Sequence, residues 1–171
     1  VGGLSNLISA HRDMANPAHR AEVARLWGVD SVPDTPGLTA VELFRAASEG
    51  KVKALWIACT NPAQSLPELE LVREALQRCD FVVLQEAYRS TETASFADLM
   101  LPAATWGEKE GTVTNSERRI SRQRRVVASV GEARPDWWAL AEVARRLGHV
   151  EAFAWESAAA IFREHAALSG H

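Results

Sequence analysis

At 171 residues, 47% of them hydrophobic and 24% charged, the chain is long enough to bury a substantial core as one soluble domain. No apolar run approaches the roughly 20 residues of a membrane span, and Val1-Gly2-Gly3 begins neither a charged nor an apolar leader of the secretory kind. A net charge of −3 removes the electrostatic case for nucleic acid or an anionic membrane as partner.

The two cysteines, Cys59 and Cys79, match no metal spacing and suit a reducing, cytoplasmic compartment, where both are expected to be buried and unreactive. Val1 to Asn16 shows no clear period and reads as irregular. Asn16-Pro17 then offers a cap and a first-turn proline, so Pro17 to Trp27 is predicted to be a helix stopped by Gly28. After a turn-rich connection, Ser31 to Gly37, Thr39 and Glu42 form a capping box for a helix with Val41, Phe44 and Ala47 on one face. Lys53 to Cys59 reads as a strand interrupted by Thr60-Asn61-Pro62. Ser65 with Glu68 suggests a second capping box, ahead of a stripe formed by Leu69, Val72 and Leu76.

Phe81 to Gln85 and Leu99 to Leu101 are apolar runs too short for a helix with a buried face, and both stop at polar residues or proline. They are expected to be buried parallel strands joined by a short helical link from Glu92 to Asp98. From Trp106 the character changes. Gly107 and Gly111 bracket a loop, Glu108-Lys109-Glu110, and Thr112 to Thr114 is a short strand. Arg118 to Val127, with five arginines in its first eight residues, reads as an extended segment facing phosphates, solvent or another subunit. Pro135-Asp136 opens a helix carrying Trp137, Leu140, Ala141, Ala144 and Leu147, and a last helix, Glu156 to Leu168, places Ala158, Ile161, Phe162, His165 and Leu168 together, so that His165 is expected to be packed rather than a ligand. The expectation is one three-layer, Rossmann-like α/β domain with a mainly parallel sheet: lead-in 1–38, sheet-and-helix core 39–148, and a C-terminal helix within 149–171.

No GxSxG elbow, HExxH, Walker loop, GxGxxG or CxxC is present. Residues 91–119, TETASFADLMLPAATWGEKEGTVTNSERR, resemble the pattern TxTAxxADxxLPxxxWxEKEGTxTNxERR of molybdopterin oxidoreductases of the dimethyl-sulfoxide-reductase type. The resemblance continues in LWIACTNPAQSLP and GEARPDWWALAEVARRLG, and with GGLSNLISAHRDMANPAHR it is most like the assimilatory nitrate reductase branch.

That resemblance implies a cofactor, molybdopterin guanine dinucleotide, with molybdenum and a 4Fe-4S cluster held by cysteine-containing segments that this chain lacks. It therefore implies an internal domain of a longer polypeptide, inactive by itself, whose partners are the other domains and an electron donor protein or reductase subunit. A formate dehydrogenase or respiratory nitrate reductase would use the same domain. A stand-alone nucleotide-binding or interaction module is the reading of another class.

Five residues follow as candidates for the guanosine end. Glu86, at a strand end, suits the two ribose hydroxyls, unless it is only a solvated strand terminus; the family usually has Asp there. Gln85 offers hydrogen bonds to the ribose or the base edge. Asn61 and Lys109 are implied by the resemblance, against an ordinary turn asparagine and a lysine neutralised by its flanking glutamates. Asp136 suits the guanine N1–H and amino donors, but an aspartate ahead of a helical stripe is also an ordinary N-cap.

Overall fold

The computed structural model describes residues 7–169; the remainder of the irregular lead-in, and the last two residues, lie outside the described residues. Strands β1 (Leu7–Ile8) and β2 (Arg12–Asp13) form a small antiparallel hairpin where irregular chain was expected. Arg12 clamps this hairpin to helix α1 (Pro17–Trp27) through two 2.7 Å hydrogen bonds donated to the Glu22 carboxylate. Asn16 Oδ1 caps α1 by accepting from Ala18 N, and Gly28 ends it at φ 66°, a left-handed conformation that glycine adopts without a Cβ penalty.

Helix α2 (Ala40–Ser48) starts at the expected capping box, with Thr39 Oγ1 accepting from Glu42 N and Thr39 N donating to Glu42 Oε2. Strand β3 (Ala54–Ala58) then leads to a short helix α3 (Pro62–Ser65) and to helix α4 (Leu69–Arg78). The expected Ser65–Glu68 capping box does not form. Pro67 has no N–H for a helical ladder and holds Leu66 extended at ψ 153°. Glu68 takes a left-handed φ of 56° and makes no cap, while Ser65 Oγ donates to Asn61 O inside α3.

Strand β4 (Phe81–Glu86) follows, then a 3-10 turn (Glu92–Phe96) and strand β5 (Leu99–Pro102). These strands form a parallel sheet in the order β3-β4-β5, with Trp56 opposite Val83, Ala58 opposite Gln85, and Gln85 opposite Leu101. The sheet is covered on one face by α2 and α4. Phe44 and Ala47 from α2 and Val72, Ala75 and Leu76 from α4 close over Leu55, Ile57, Val82 and Leu84. Burial of this kind contributes roughly 1.5–3 kcal/mol per large side chain.

β5 differs from expectation. It is an edge strand with Leu99 43% exposed, because a sheet of three strands gives it no full outer neighbour. Beyond its end, Ala103 pairs in parallel with Arg134, Ala104 N donating to Arg134 O at 2.9 Å and Arg134 N to Pro102 O at 3.0 Å. That bridge delivers the start of helix α5 (Asp136–Arg146) to the carboxyl edge of the sheet.

Between them, a 3-10 turn (Trp106–Glu108) precedes the antiparallel ribbon β6 (Gly111–Thr114) and β7 (Ile120–Gln123). Helix α6 (Ala158–Ser169) is the last described element. Its buried residue is Leu168; His165, expected to be packed, is exposed. Among the described residues no helix is long and apolar enough to cross a membrane.

Candidate functional site

The three parallel strands end beside a cleft of about 180 Å³ lined by Cys59, Gln85, Glu86, Tyr88, Thr105, Trp106, Lys109 and Asp136. Its centre is the Asp136 carboxylate. Oδ2 receives a 2.7 Å ion-paired hydrogen bond from Lys109 Nζ, and Oδ1 receives one of 3.0 Å from Gln85 Nε2. Gln85 Nε2 also donates to the Asp136 backbone carbonyl at 3.1 Å, and Cys59 Sγ lies 3.5 Å from Oδ1. Burial by itself pushes the Asp136 carboxyl up, but the hydrogen bonds from Lys109 and Gln85 and the Lys109 charge outweigh it, so the group titrates below the usual carboxylate range.

Asp136 is not the N-cap that its position before a helical stripe suggested. Pro135 occupies the cap position and Asp136 is the first helical residue, with its side chain turned to the cleft. Gln85 is 2% exposed, so its amide needs partners at both ends. Trp56 Nε1 supplies the other, donating to Gln85 Oε1 at 3.2 Å.

Cys59 is exposed rather than buried, at φ 59° just past β3. Partial burial first, and the neighbouring Asp136 charge second, push its thiol above the usual value.

Lys109 is presented by a loop that Glu108 pins. The Glu108 carboxylate accepts from Thr105 N and Oγ1 at 2.7 and 2.9 Å and from Val130 N at 3.0 Å. Glu110 turns to Arg122 at 3.6 Å. The flanking glutamates are therefore committed elsewhere, and Lys109 pairs with Asp136.

Glu86 lines the same cleft but folds back on its own loop, Oε1 accepting from Ala87 N at 2.7 Å and Tyr88 N at 3.2 Å. Asn61 is not among the cleft residues. Its Oδ1 accepts from Thr93 N and Oγ1 at 3.1 and 2.6 Å, and its Nδ2 donates to Gln64 and Glu92 at 3.2 and 2.5 Å. It ties α3 to the link before β5. Thr93, fully buried, completes that tie by accepting from Ala63 N at 3.1 Å, and Asp98 serves the same link by accepting from Val82 N at 2.7 Å.

The cleft thus gathers Gln85, Glu86, Lys109 and Asp136 and leaves Asn61 beside it. It also contains residues that sequence reasoning passed over. Tyr88 and Trp106, each 66% exposed, present aromatic surface at its edge, and Trp56 supports Gln85. A second cleft of about 460 Å³ shares Lys109 and is lined by Arg125, Ser129, Arg134, Trp137 and Ser157. Among the described residues no group of three His, Cys, Asp or Glu could hold a metal ion.

The fold and the cleft define the class: an α/β domain with a cleft outside the carboxyl ends of its parallel strands, where open sheets of this kind bind ligands. The sequence model of the family described as molybdopterin oxidoreductase matches residues 2–146, and the chain belongs to that family. Membership implies a molybdopterin cofactor. The chain is 52% identical over 171 residues to a nitrate reductase of Klebsiella oxytoca, covering 100% of this chain and 20% of that protein. It is 37% identical to the assimilatory nitrate reductase catalytic subunit of Bacillus subtilis, covering 95% of this chain and 23% of that one. Among solved structures, acetylene hydratase from Pelobacter acetylenicus matches with a TM-score of 0.68 at 25% identity, over 89% of this chain and 22% of the other. The chain therefore spans about a fifth of the length of these relatives.

Proposed function

We propose that this chain is the internal part of a molybdenum-dependent nitrate reductase that holds the guanosine end of molybdopterin guanine dinucleotide, in a cytoplasmic enzyme reducing nitrate to nitrite. The observation that carries the reading is the Lys109–Asp136–Gln85 cluster at the strand ends. An ionised carboxylate offers about four lone-pair positions. Lys109 takes one on Oδ2, and Gln85 takes one on Oδ1 with the Cys59 thiol a weak second contact there, so Oδ2 retains a position for one of the two adjacent guanine donors, N1–H and the amino group, and Oδ1 accepts the other in place of the weak thiol contact. Lys109 keeps Asp136 ionised and oriented while it does so.

The other residues fit the remaining parts of the same molecule. Glu86 spends Oε1 on its own loop and directs its remaining acceptor capacity to the ribose hydroxyls. Tyr88 and Trp106 offer faces against which a purine stacks. Asn61 contributes by holding the α3 end of the edge in place, and Arg125 and Arg134 in the adjoining cleft suit a pyrophosphate. The bound group supplies the molybdenum centre at which nitrate is reduced. That centre, the 4Fe-4S cluster and the docking of an electron donor are assigned to other parts of the full polypeptide.

Identity of 52% to a nitrate reductase favours nitrate over formate as substrate and favours a domain of a larger enzyme over a free-standing module. The test is the molybdenum and acid-released GMP content of the complete enzyme carrying Glu86→Ala and Asp136→Ala together. Both should fall well below wild type. Wild-type content would mean that these side chains serve only their local loop and helix.

A further inference from the structure

We propose that Trp56 is a positioning residue for the guanine-reading carboxylate: its indole N–H holds the Gln85 amide in the one orientation that presents a donor to Asp136. This inference rests on the guanosine reading of the cleft.

The register places the two side chains together. Trp56 pairs with Val83 and Ala58 with Gln85 across β3 and β4, so Trp56 and Gln85 project from the same face as diagonal neighbours, a spacing that a large aromatic ring spans. Directly opposite Gln85 stand Ala58 on β3, which offers only a methyl group, and Leu101 on β5. Trp56 Nε1 donates to Gln85 Oε1 at 3.2 Å, and Gln85 Nε2 donates to Asp136 O and Oδ1 at 3.1 and 3.0 Å. An indole nitrogen donates and never accepts, so it admits only the carbonyl end of the amide. The nitrogen end is thereby aimed at Asp136.

Without the indole N–H the amide is held at its nitrogen end alone, by the two Asp136 acceptors, and the buried Oε1 loses its donor, so the turned orientation gains population. The turned amide sets Oε1 against the Asp136 carboxylate, where two acceptors repel, and leaves Lys109 as the one strong donor to that group. The partly buried ring of Trp56 thus has a function beyond packing.

Trp56→Phe keeps a ring in place and deletes the donor. In the complete enzyme, retained GMP after gel filtration is measured from pH 5 to pH 8 for wild type, Trp56→Phe, Gln85→Met, the double variant and Asp136→Ala. Trp56→Phe should lower retention about fivefold, the order expected for one lost hydrogen bond, and should move the acid limb of the profile toward neutral pH. Adding Trp56→Phe to Gln85→Met should cause no further loss, since the amide it orients is already gone. A full additive loss in the double variant would reduce Trp56 to ordinary packing and overturn the proposal, as would a Trp56→Phe profile superimposable on wild type while Asp136→Ala empties the site. Wild-type retention in Asp136→Ala would instead remove the guanosine reading itself.

Discussion

Lys109→Met separates the electrostatics of the cleft from its shape, since methionine keeps an unbranched side chain and loses the charge. The pair it breaks has a 2.7 Å contact and side chains 28% and 24% exposed. A fully buried pair broken on one side costs about 3–5 kcal/mol and an exposed one about 1 or less. For two partners each about three-quarters covered, a loss of about 1–2 kcal/mol follows at neutral pH. The pH dependence fixes the cause. Asp136 is held below its ordinary value by Lys109 and Gln85 against the opposing push of burial. A depressed carboxyl contributes stability that is present above the unfolded value, about 3.9, and is lost as pH falls through the lower folded value. Removing Lys109 leaves burial less opposed, so the Asp136 carboxyl moves up and this contribution shrinks or changes sign. The gap between wild type and Lys109→Met should therefore be widest near pH 7 and narrow on acidification below about pH 4. The assay is the urea midpoint of the transition that includes this domain, in the complete polypeptide, from pH 3 to pH 7. An equal gap at every pH would show that the variant acts through packing and would refute the electrostatic account.

Three further outcomes are expected. Leu84→Ala, at a fully buried position under α2 and α4, should destabilise the domain by about 2–5 kcal/mol through lost burial and a cavity, read as a lower urea midpoint. Thr93→Val keeps the volume of a fully buried side chain but leaves Ala63 N and Asn61 Oδ1 without its hydroxyl, a cost of about 1–3 kcal/mol, with Thr93→Ser expected to recover most of it. Cys59, exposed yet with its thiol pushed up by burial and by Asp136, should react slowly with iodoacetamide at pH 7. Asp136→Asn should speed that alkylation, and an unchanged rate, followed by mass spectrometry, would show that the carboxylate does not govern the thiol.

Local physics made much of this chain legible before any tertiary contact was known. Asn16-Pro17-to-Gly28 and Thr39-to-Glu42 satisfy helix ends within a few residues of themselves, so helices α1 and α2 follow from sequence alone. The apolar runs around Leu55 and Val82 likewise announce two adjacent parallel strands. The motif between Thr91 and Arg119 carried the family, and the wider resemblance singled out Gln85, Glu86, Lys109 and Asp136 as candidates, which the fold brings to one cleft. What sequence could not supply was the outcome of competition between local and distant partners. Ser65 and Glu68 have the spacing of a cap, yet Pro67 blocks the ladder and Ser65 finds Asn61 O. Asp136 has the position of a cap, yet Lys109 and Gln85, 27 and 51 residues away along the chain, bind its carboxylate. Asn61 follows its strand as a ligand residue should, yet Thr93, 32 residues on, holds its amide. Trp56 acquires its relation to Gln85 only through the β3–β4 register. Backbone preferences are set by neighbours in sequence; the commitment of a side chain is set by whichever donors and acceptors the folded chain brings within about 3 Å, and that is decided by tertiary structure.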